Sequence, residues 1–373
     1  APDRGARYPR ARRHPSVRAN TSTELGGVET AVVILEGRLG EPPERLAGLL
    51  LHEAFHVFQR RNHPAWSANE VALLTYPMTD STALGLRRLE TRLLRNALRA
   101  GTAEERRTLA GSALAVRRER FDRLPQDAAE YERDTELNEG LARYVERRAV
   151  GNGHRPVFES VAFAPEEVRQ RAYATGQALA LLLDDALPAW KERLAADTGA
   201  SLDGLLGDAL YGDHGPPLTA IRPGTAERRS ALARAGRDIR ELERSRQERL
   251  SEFLERPGWA VEFVAAEGAA LWPQKFDPLN LLKIDEGRVL HTRWLVLGND
   301  AARVEILDHA ALSTAAGDHP LFTGVSRLLV TGLPEPPEIT EEDQAVRLEG
   351  RWLEAEIRGG SVERFDGKIL VRL

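Results

Sequence analysis

The sequence contains no cysteine, no long apolar run and no surplus of basic residues. Without cysteine the chain cannot form a disulfide, a thiol nucleophile, a cysteine zinc knuckle or an iron–sulfur cluster. Its apolar stretches fall far short of the ~18–20 residues that span a bilayer, so we predict no membrane span. The 52 basic residues are outnumbered by 57 acidic ones, for a net charge of −5. A dedicated nucleic-acid binder would carry the opposite balance, so we predict no nucleic-acid partner.

The rest of the composition is that of a globular protein, with 42% hydrophobic and 29% charged residues. Its 373 residues predict two or three domains at roughly 100–200 residues per domain. The arginines are spread along helical stretches, and we interpret them as solvated helix faces. The Arg-rich segment Ala1–Arg13 has no apolar core and is not an intact signal peptide. Because the chain starts with Ala, export with removal of a signal peptide and a cytoplasmic location both stay open, and no oligomeric state is predicted.

The N-terminal half of the chain has helical periodicity after a short β run. Proline and glycine punctuate residues 1–27, which we expect to be irregular, and the β-branched run Thr30–Glu36 predicts a strand. A helix opened by Pro42 and Pro43 is apolar almost all round, which predicts central burial. Apolar periodicity then predicts further helices in six stretches: Asn69–Tyr76, Ser81–Ala100, Ala103–Leu124, Ala128–Val150, Pro165–Asp197 (interrupted at Pro188) and Ala226–Glu255.

The pattern changes after Pro257 to short β runs separated by Gly, Pro and Asp turns. These runs include Ala260–Ala265, Val289–Leu297, Arg303–Leu307, Arg327–Thr331, Val346–Leu348 and Lys368–Leu373. The sequence therefore predicts an α+β protein. We expect a mainly helical domain with a short N-terminal strand region over residues 1–256, and a smaller β-rich domain over residues 257–373.

The first long helix carries the motif His52-Glu53-Ala54-Phe55-His56. Its two histidines are one helical turn apart and face the same way. Two imidazoles so placed can share one Zn²⁺, each at about 2.0–2.1 Å from the ion. Glu53 projects beside them and can polarise a metal-bound water. Burying these three polar side chains without a ligand would cost on the order of several kcal/mol. We therefore interpret the motif as the first part of a zinc site.

Zinc needs a third protein ligand and an open fourth position. A metzincin would place Gly three residues after the second His and a third His three residues later. Gln59 and Asn62 occupy these positions here, and His63 is one residue out of phase. The third ligand is then a glutamate, and the candidates are Glu70, Glu90 and Glu139.

The last of these candidates lies in the segment NEGLARY, residues 138–144. This segment resembles the NEGFAxY or TEGxAxY segment of gluzincin peptidases, most closely the zinc aminopeptidases. In that group the Glu before Gly is the third zinc ligand, so the resemblance implies His52, His56 and Glu139 as the metal set. Here many more residues separate the second His from the Glu. A surface pair of Glu139 with Arg143 is the alternative, and Glu90 is the main rival ligand.

A second segment, Tyr173-Ala174-Thr175-Gly176, resembles the Tyr-x-Lys-Gly segment of the same aminopeptidases, with Thr in place of the usual Lys. There the Tyr hydroxyl steadies the oxyanion of the tetrahedral intermediate, and the resemblance implies this role for Tyr173. The chemistry is sound because an O–H aimed at developing charge stabilises the transition state. Ordinary helix packing of Tyr173 is the alternative, and Tyr144 is the second candidate donor.

Groups that orient the histidines and bind substrate are less well specified by the sequence. Thermolysin-like gluzincins place an Asp four residues after the third ligand, where this chain has Arg143. The candidates to replace that Asp are Glu146, Glu136 and Asp80. In gluzincins an edge strand before the HExxH helix binds substrate by strand addition, which the resemblance implies for Val32–Glu36, with a plain core strand as the alternative. The remaining histidines are interpreted as surface or structural: His14, His63, His154, His214, His291, His309 and His319.

The leading hypothesis is a zinc-dependent peptidase of the gluzincin type, with a zincin-like helical domain and a peptide or protein substrate. Glu53 would be the base, Tyr173 the oxyanion donor, and Zn²⁺ the cofactor. The chain has no GxMEN motif to anchor a free N-terminus, so endopeptidase and exopeptidase activity both stay open. Two other hypotheses are a regulatory protein with a structural zinc site and a zinc hydrolase of non-peptide amides or esters.

Overall fold

The computed structural model describes residues 21–35, 37–38, 40–151, 156–212, 224–342 and 344–373. Over these residues the chain is α+β, with helices in the N-terminal part and a β-rich C-terminal part, which confirms the predicted fold class. The chain divides into two compact units. The first contains the described residues up to Asn69 and the range Pro77–Asp238. The second contains Glu70–Tyr76 and Ile239–Leu373.

Helices make up most of the first unit. Their bounds are α1 (Pro43–Asn62), α2 (Ser81–Arg99), α3 (Ala103–Phe121), α4 (Gln126–Thr135), α5 (Leu141–Val150), α6 (Val168–Ala186), α7 (Trp190–Ala196), α8 (Leu202–Tyr211) and α9 (Thr225–Leu254). The residues of α9 from Ile239 onward belong to the second unit. Most of the helices lie where apolar periodicity predicts a helix, although α8 is not among the predicted helices. The stretch Asn69–Tyr76 forms only a short 3₁₀ helix, Glu70–Leu74. None of the described helices is long and apolar enough to cross a membrane.

Two short antiparallel strands, β1 (Thr21–Leu25) and β2 (Val28–Val32), precede α1 and contact it. Gly26 and Gly27 form the turn between them with positive φ angles of 60° and 78°, which glycine adopts without strain. The expectation of irregular structure is therefore wrong for β1, and residues 1–20 lie outside the described range. The predicted strand is also displaced, because β2 ends at Val32 and Glu36 lies outside the described residues.

The buried face of helix α1 is polar, whereas a centrally buried helix would be apolar. Its buried residues are Gly48, His52, Glu53 and Gln59. Several of its large apolar side chains are exposed instead, including Leu50, Leu51 and Phe58. The prediction of central burial is therefore wrong. A polar face of α1 points into the first unit, and that face carries the HExxH motif.

The predicted helix over Ala128–Val150 is continuous but not regular. Between α4 and α5 lies a π-helical segment, Glu136–Gly140, which contains Glu139. A π-helical turn holds more residues than an α-helical turn and is often found at functional sites. The apolar periodicity on either side is kept, so the sequence pattern does not predict this local widening.

The interpretation of the arginines as solvated is wrong for several that are fully buried in the first unit. Arg117, Arg120 and Arg171 all bind Glu90, at 3.1, 2.9 and 2.7 Å respectively. Arg120 and Arg171 also bind the buried Glu132. A buried charge persists when a partner of opposite sign compensates its desolvation. The core between α2, α3, α4 and α6 therefore contains an ion network among its apolar side chains.

The second unit is built on two β-sheets. Its strands are β3 (Trp259–Val264), β4 (Trp272–Phe276), β5 (Leu281–Lys283), β6 (Arg288–His291), β7 (Trp294–Gly298), β8 (Ala302–Leu307), β9 (Ala311–Ala315), β10 (Val325–Leu333), β11 (Glu338–Glu342), β12 (Ala345–Glu349), β13 (Leu353–Arg358), β14 (Ser361–Phe365) and β15 (Lys368–Arg372). The sheet orders are β14-β15-β3-β10-β9-β6-β5 and β11-β12-β13-β8-β7-β4. Apolar side chains from both sheets share one core. The predicted β-rich C-terminal region is confirmed, with the run Val289–Leu297 split between β6 and β7.

Candidate metal centre

The two motif histidines project from the buried side of α1. Helix α1 starts with Pro43 in its first turn, where a missing backbone N–H costs nothing. From there the helix runs unbroken through His52 and His56, whose ring centroids are 4.9 Å apart. His52 is buried and His56 is partly buried. The helical spacing therefore delivers both imidazoles to one place, as the sequence predicts.

Three potential ligand atoms converge at this place. The Nε2 atoms of His52 and His56 are 3.2 Å apart. Glu139 Oε2 lies 3.4 Å from His52 Nε2 and 3.2 Å from His56 Nε2. Ligand atoms held about 2.0–2.1 Å from a tetrahedral zinc ion lie about 3.3 Å from one another. The triangle formed by these three atoms could therefore hold a metal ion. A tetrahedral ion with three protein ligands has one further coordination position.

Gln59 orients His56 and ties it to the π-helical segment. The Gln59 side-chain nitrogen donates to the carbonyl oxygens of Leu137 and Asn138, both at 2.9 Å. Its Oε1 is then the atom that faces His56 Nδ1, at 2.8 Å, so that Nδ1 is the protonated ring nitrogen. The lone pair of His56 therefore lies on Nε2, the atom that faces Glu139. Sequence reasoning missed this role, although Gln59 lies one turn after His56 on the same face.

Glu146 is the candidate orienting group that reaches His52. Its Oε2 lies 3.4 Å from His52 Nδ1. Gly48 permits this approach of α5 to α1, because a Cβ at Gly48 would lie 3.1 Å from Glu146 Cγ. The other two candidates are engaged elsewhere: Asp80 caps α2, and Glu136 binds Arg117 and Thr175.

Glu139 has partners on both of its carboxylate oxygens. Oε2 faces the two histidines, and Oε1 accepts a hydrogen bond of 2.8 Å from Arg169. The Tyr173 hydroxyl also donates to Glu139, and its ring stacks nearly parallel to that of His52 at 6.4 Å. The alternative of a surface pair between Glu139 and Arg143 is therefore wrong. Tyr173 lies at the centre, although its role as an oxyanion donor stays a prediction.

Two glycines bring the segments of Glu139 and Tyr173 together. A Cβ on Gly140 would lie 2.6 Å from Gly176 Cα. A Cβ on Gly176 would lie 2.6 Å from the carbonyl oxygen of Glu136. Only glycine permits this separation between the π-helical segment and α6. The glycine of NEGLARY and the glycine of the Tyr173 segment are thus in contact with each other.

Burial and neighbouring charges shift the pKa values of the ionisable groups at the centre. Burial alone would raise the pKa of Glu139, but with both imidazoles protonated, hydrogen bonds from His52 and His56 outweigh it and hold the pKa well below its usual range. Burial lowers the pKa of His52, but Glu139 and Glu146 outweigh it and raise the pKa to about 9 on protein charges alone. For Glu53, burial dominates over the attraction of the two histidines and raises the pKa. Glu53 is therefore better suited than an ordinary carboxylate to hold a proton.

The rival candidates lie elsewhere. Glu90 is enclosed by the buried arginines, which outweigh its desolvation and lower its pKa. Tyr144 donates a 2.8 Å hydrogen bond to Asp184 and packs against Trp190. Glu70 belongs to the second unit. Among these rivals, none is part of the group of three convergent ligand atoms in the described chain.

The other histidines in the described range have structural partners. His63 stacks on Trp66, and His291, His309 and His319 form hydrogen bonds within the second unit. Burial lowers the pKa of His291 to about 3, so this histidine is neutral at ordinary pH. The remaining three, His14, His154 and His214, lie outside the described residues.

A cleft of about 470 Å³ opens onto the candidate metal centre. His52, Glu146, Arg169 and Tyr173 contribute to its wall. Its apolar lining comes from Leu49, Val157, Phe163 and Ala174, and its other polar lining from Arg143, Glu159, Ser160, Glu167 and Gln170. A ligand of several atoms can therefore reach the side of the centre on which His52 and Tyr173 lie.

Replacing Gln59 by Met is expected to lower zinc affinity by about 10–100-fold, the usual effect of losing a group that orients a ligand. Met keeps the volume of Gln but neither accepts from His56 Nδ1 nor donates to the carbonyls before Glu139. Zinc dissociation constants measured by competition with a chelator would test this. The matched control is Asn62→Ala, an exposed change on the same helix. Equal affinities for the two folded variants would contradict the orienting role.

The structure brings His52, Glu53, His56, Glu139 and Tyr173 together in one place. Comparisons of the chain with protein-family models, curated proteins and solved structures found no significant match. The function is therefore inferred from the geometry and chemistry of this centre.

Proposed function

We propose that the protein is a zinc-dependent peptidase in which His52, His56 and Glu139 hold the ion. The observation that supports this most strongly is the triangle of three ligand atoms separated by 3.2–3.4 Å. Two imidazoles and one carboxylate suit zinc better than Ca²⁺ or Mg²⁺, which prefer oxygen ligands. The donors fit a metal ion because the Gln59 hydrogen bond at His56 Nδ1 and the Glu146 contact at His52 Nδ1 leave both Nε2 atoms facing the centre.

The chemistry follows from the groups around the ion. Zinc bound there would supply a Lewis acid that polarises the scissile carbonyl and lowers the pKa of a bound water. Glu53 would accept the proton of the attacking water and pass it to the leaving amine, a role that suits its raised pKa. The Tyr173 hydroxyl, which donates to Glu139 in this structure, would donate to the oxyanion of the substrate.

The cleft supplies the binding site for the peptide. Its apolar lining can bury a side chain next to the scissile bond, and its polar lining can bind the peptide groups of the backbone. Glu53 favours a hydrolase over a structural site, because a structural zinc has no chemical need for a buried carboxylate beside it. The same groups would also hydrolyse a non-peptide amide or ester. Assays with peptides, amides and esters separate these activities.

Metal removal tests the proposal. We expect the purified chain to bind about one zinc ion, as a single site of this type does. Hydrolysis of casein peptides should be lost after treatment with a chelator and restored by added zinc. If the chain binds zinc and cleaves non-peptide amides or esters but no peptides, the protein is another kind of hydrolase and the peptidase proposal is wrong. Zinc with no hydrolysis of either kind would indicate a structural site. Failure to bind any metal would contradict the ligand assignment.

A further inference from the structure

A second, smaller cavity adjoins the cleft at Arg143. It has a volume of about 200 Å³ and shares Leu49, Arg143 and Glu146 with the cleft. Arg143 therefore contributes to the lining of both spaces. A molecule that occupies the cleft next to the metal centre can extend past Arg143 into the smaller cavity.

The smaller cavity has an excess of positive charge. Four arginines and two glutamates contribute to its lining. Both glutamates are already engaged: Glu41 pairs with Arg38 at 3.1 Å, and Glu146 contacts His52 at 3.4 Å. Neither Arg45 nor Arg143 forms an ion pair with a residue in the described part of the chain. The cavity can therefore accept an anionic group, whose charge would be attracted to these guanidinium groups.

Arg143 lies close enough to the metal centre to contact a molecule bound in the cleft. It lies four residues after Glu139, in the first turn of α5, and lines the cleft together with His52 and Tyr173. Two guanidinium groups lie close to the Tyr173 ring, with Arg169 at 5.1 Å and Arg143 at 5.9 Å from its centroid. Arg169 is committed to Glu139. The Arg143 backbone is fixed through a 3.2 Å hydrogen bond that its carbonyl accepts from Gln177.

We propose that Arg143 forms a subsite for a carboxylate group of the substrate. This inference rests on the proposed peptidase function and adds a substrate class to it. Guanidinium binds carboxylate with two parallel hydrogen bonds, which gives direction as well as affinity. In a peptide the carboxylate is either the C-terminus or an Asp or Glu side chain near the scissile bond. The first source would make the enzyme a carboxypeptidase, and the second an endopeptidase selective for acidic sequences.

Binding of peptide pools tests the subsite separately from hydrolysis. Zinc-loaded protein carrying Glu53→Gln is immobilised so that bound peptides are not cleaved. It is then exposed to N-acetylated pentapeptides of random sequence, prepared with a free or an amidated C-terminus. Mass spectrometry measures the retained peptides. The added variants are Arg143→Gln and, as a control for net charge, Arg148→Gln, which changes an exposed arginine on the same helix.

We expect peptides that carry a carboxylate to be retained about 10–100-fold better than amidated peptides without one. Hydrogen bonds between charged groups contribute a free energy of this size. Arg143→Gln should abolish this preference and Arg148→Gln should keep it. A preference for free C-termini supports a C-terminal carboxylate. A preference for Asp or Glu within the amidated pool supports a side chain. Equal behaviour of the two arginine variants, or no preference in the Arg148 control, would overturn the subsite.

The two proposals can fail separately. Retention that depends on Arg143, together with absence of hydrolysis by the wild type, would keep the subsite and remove the peptidase. Hydrolysis by the wild type without any carboxylate preference would keep the peptidase and remove the subsite.

Discussion

Replacing Glu53 by Gln is expected to lower kcat for peptide hydrolysis by about 10²–10⁴-fold, the usual contribution of a general base. Gln has the size of Glu but cannot take up a proton. The ligand atoms on His52, His56 and Glu139 are unchanged, so zinc should remain bound. Rate and metal content measured on the same sample would check both parts of this expectation.

The matched control for this change is Glu44→Gln, which removes a carboxylate from the exposed first turn of the same helix. It should leave both kcat and zinc content at the wild-type level. Undiminished hydrolysis by the Glu53 variant would contradict its role as the base. Loss of zinc from that variant would instead assign Glu53 to metal retention.

Replacing Gly176 by Ala is expected to lower zinc affinity by at least about 100-fold, beyond the usual effect of losing an orienting group. The added Cβ would lie 2.6 Å from the carbonyl oxygen of Glu136 and 2.8 Å from Gly140 Cα. Both neighbours are backbone atoms, so no rotamer change can relieve the contact. The π-helical segment and α6 must move apart, which displaces Glu139 from the two histidines. Metal–ligand distances stay within about 0.2 Å of their usual values, so a displaced Glu139 would no longer bind the ion well.

The comparison for Gly176→Ala is Gly207→Ala in α8, where the nearest atom to the added Cβ would be 4.0 Å away. That change should not weaken zinc binding. Overpacking also costs about 1–3 kcal/mol of stability, so thermal unfolding of both variants should accompany the zinc titrations. A folded Gly176 variant with wild-type zinc affinity would contradict the role of the glycine contact.

The parts of the site that depend on local spacing can be predicted from the sequence. His52 and His56 converge because four residues make about one helical turn. Spacing alone left Glu70, Glu90 and Glu139 open as the third ligand, and only the resemblance of two short segments to those of aminopeptidases implied Glu139 and Tyr173. The helical and β-rich regions follow from their apolar periodicity in the same way.

The parts that depend on distant partners could not be predicted. Gln59 orients His56 only because the carbonyls of Leu137 and Asn138 lie beside it in the fold. The burial of Arg117 depends on Glu90 and other carboxylates from different helices. A single sequence does not show which residues from different helices contact one another. The π-helical segment was also missed, because it adds a residue without disturbing the apolar pattern on either side.

The polar buried face of α1 has a consequence for the lifetime of the protein. Apart from partly buried side chains such as Phe55, little apolar surface attaches this helix to the first unit, and its fully buried side chains are polar. A metal ion that binds only the folded arrangement would add its binding free energy to that attachment. Metal-starved protein would open α1 more often and expose its backbone to proteolysis. Zinc supply in the cell would then set how much of this protein survives, in addition to how fast each molecule works.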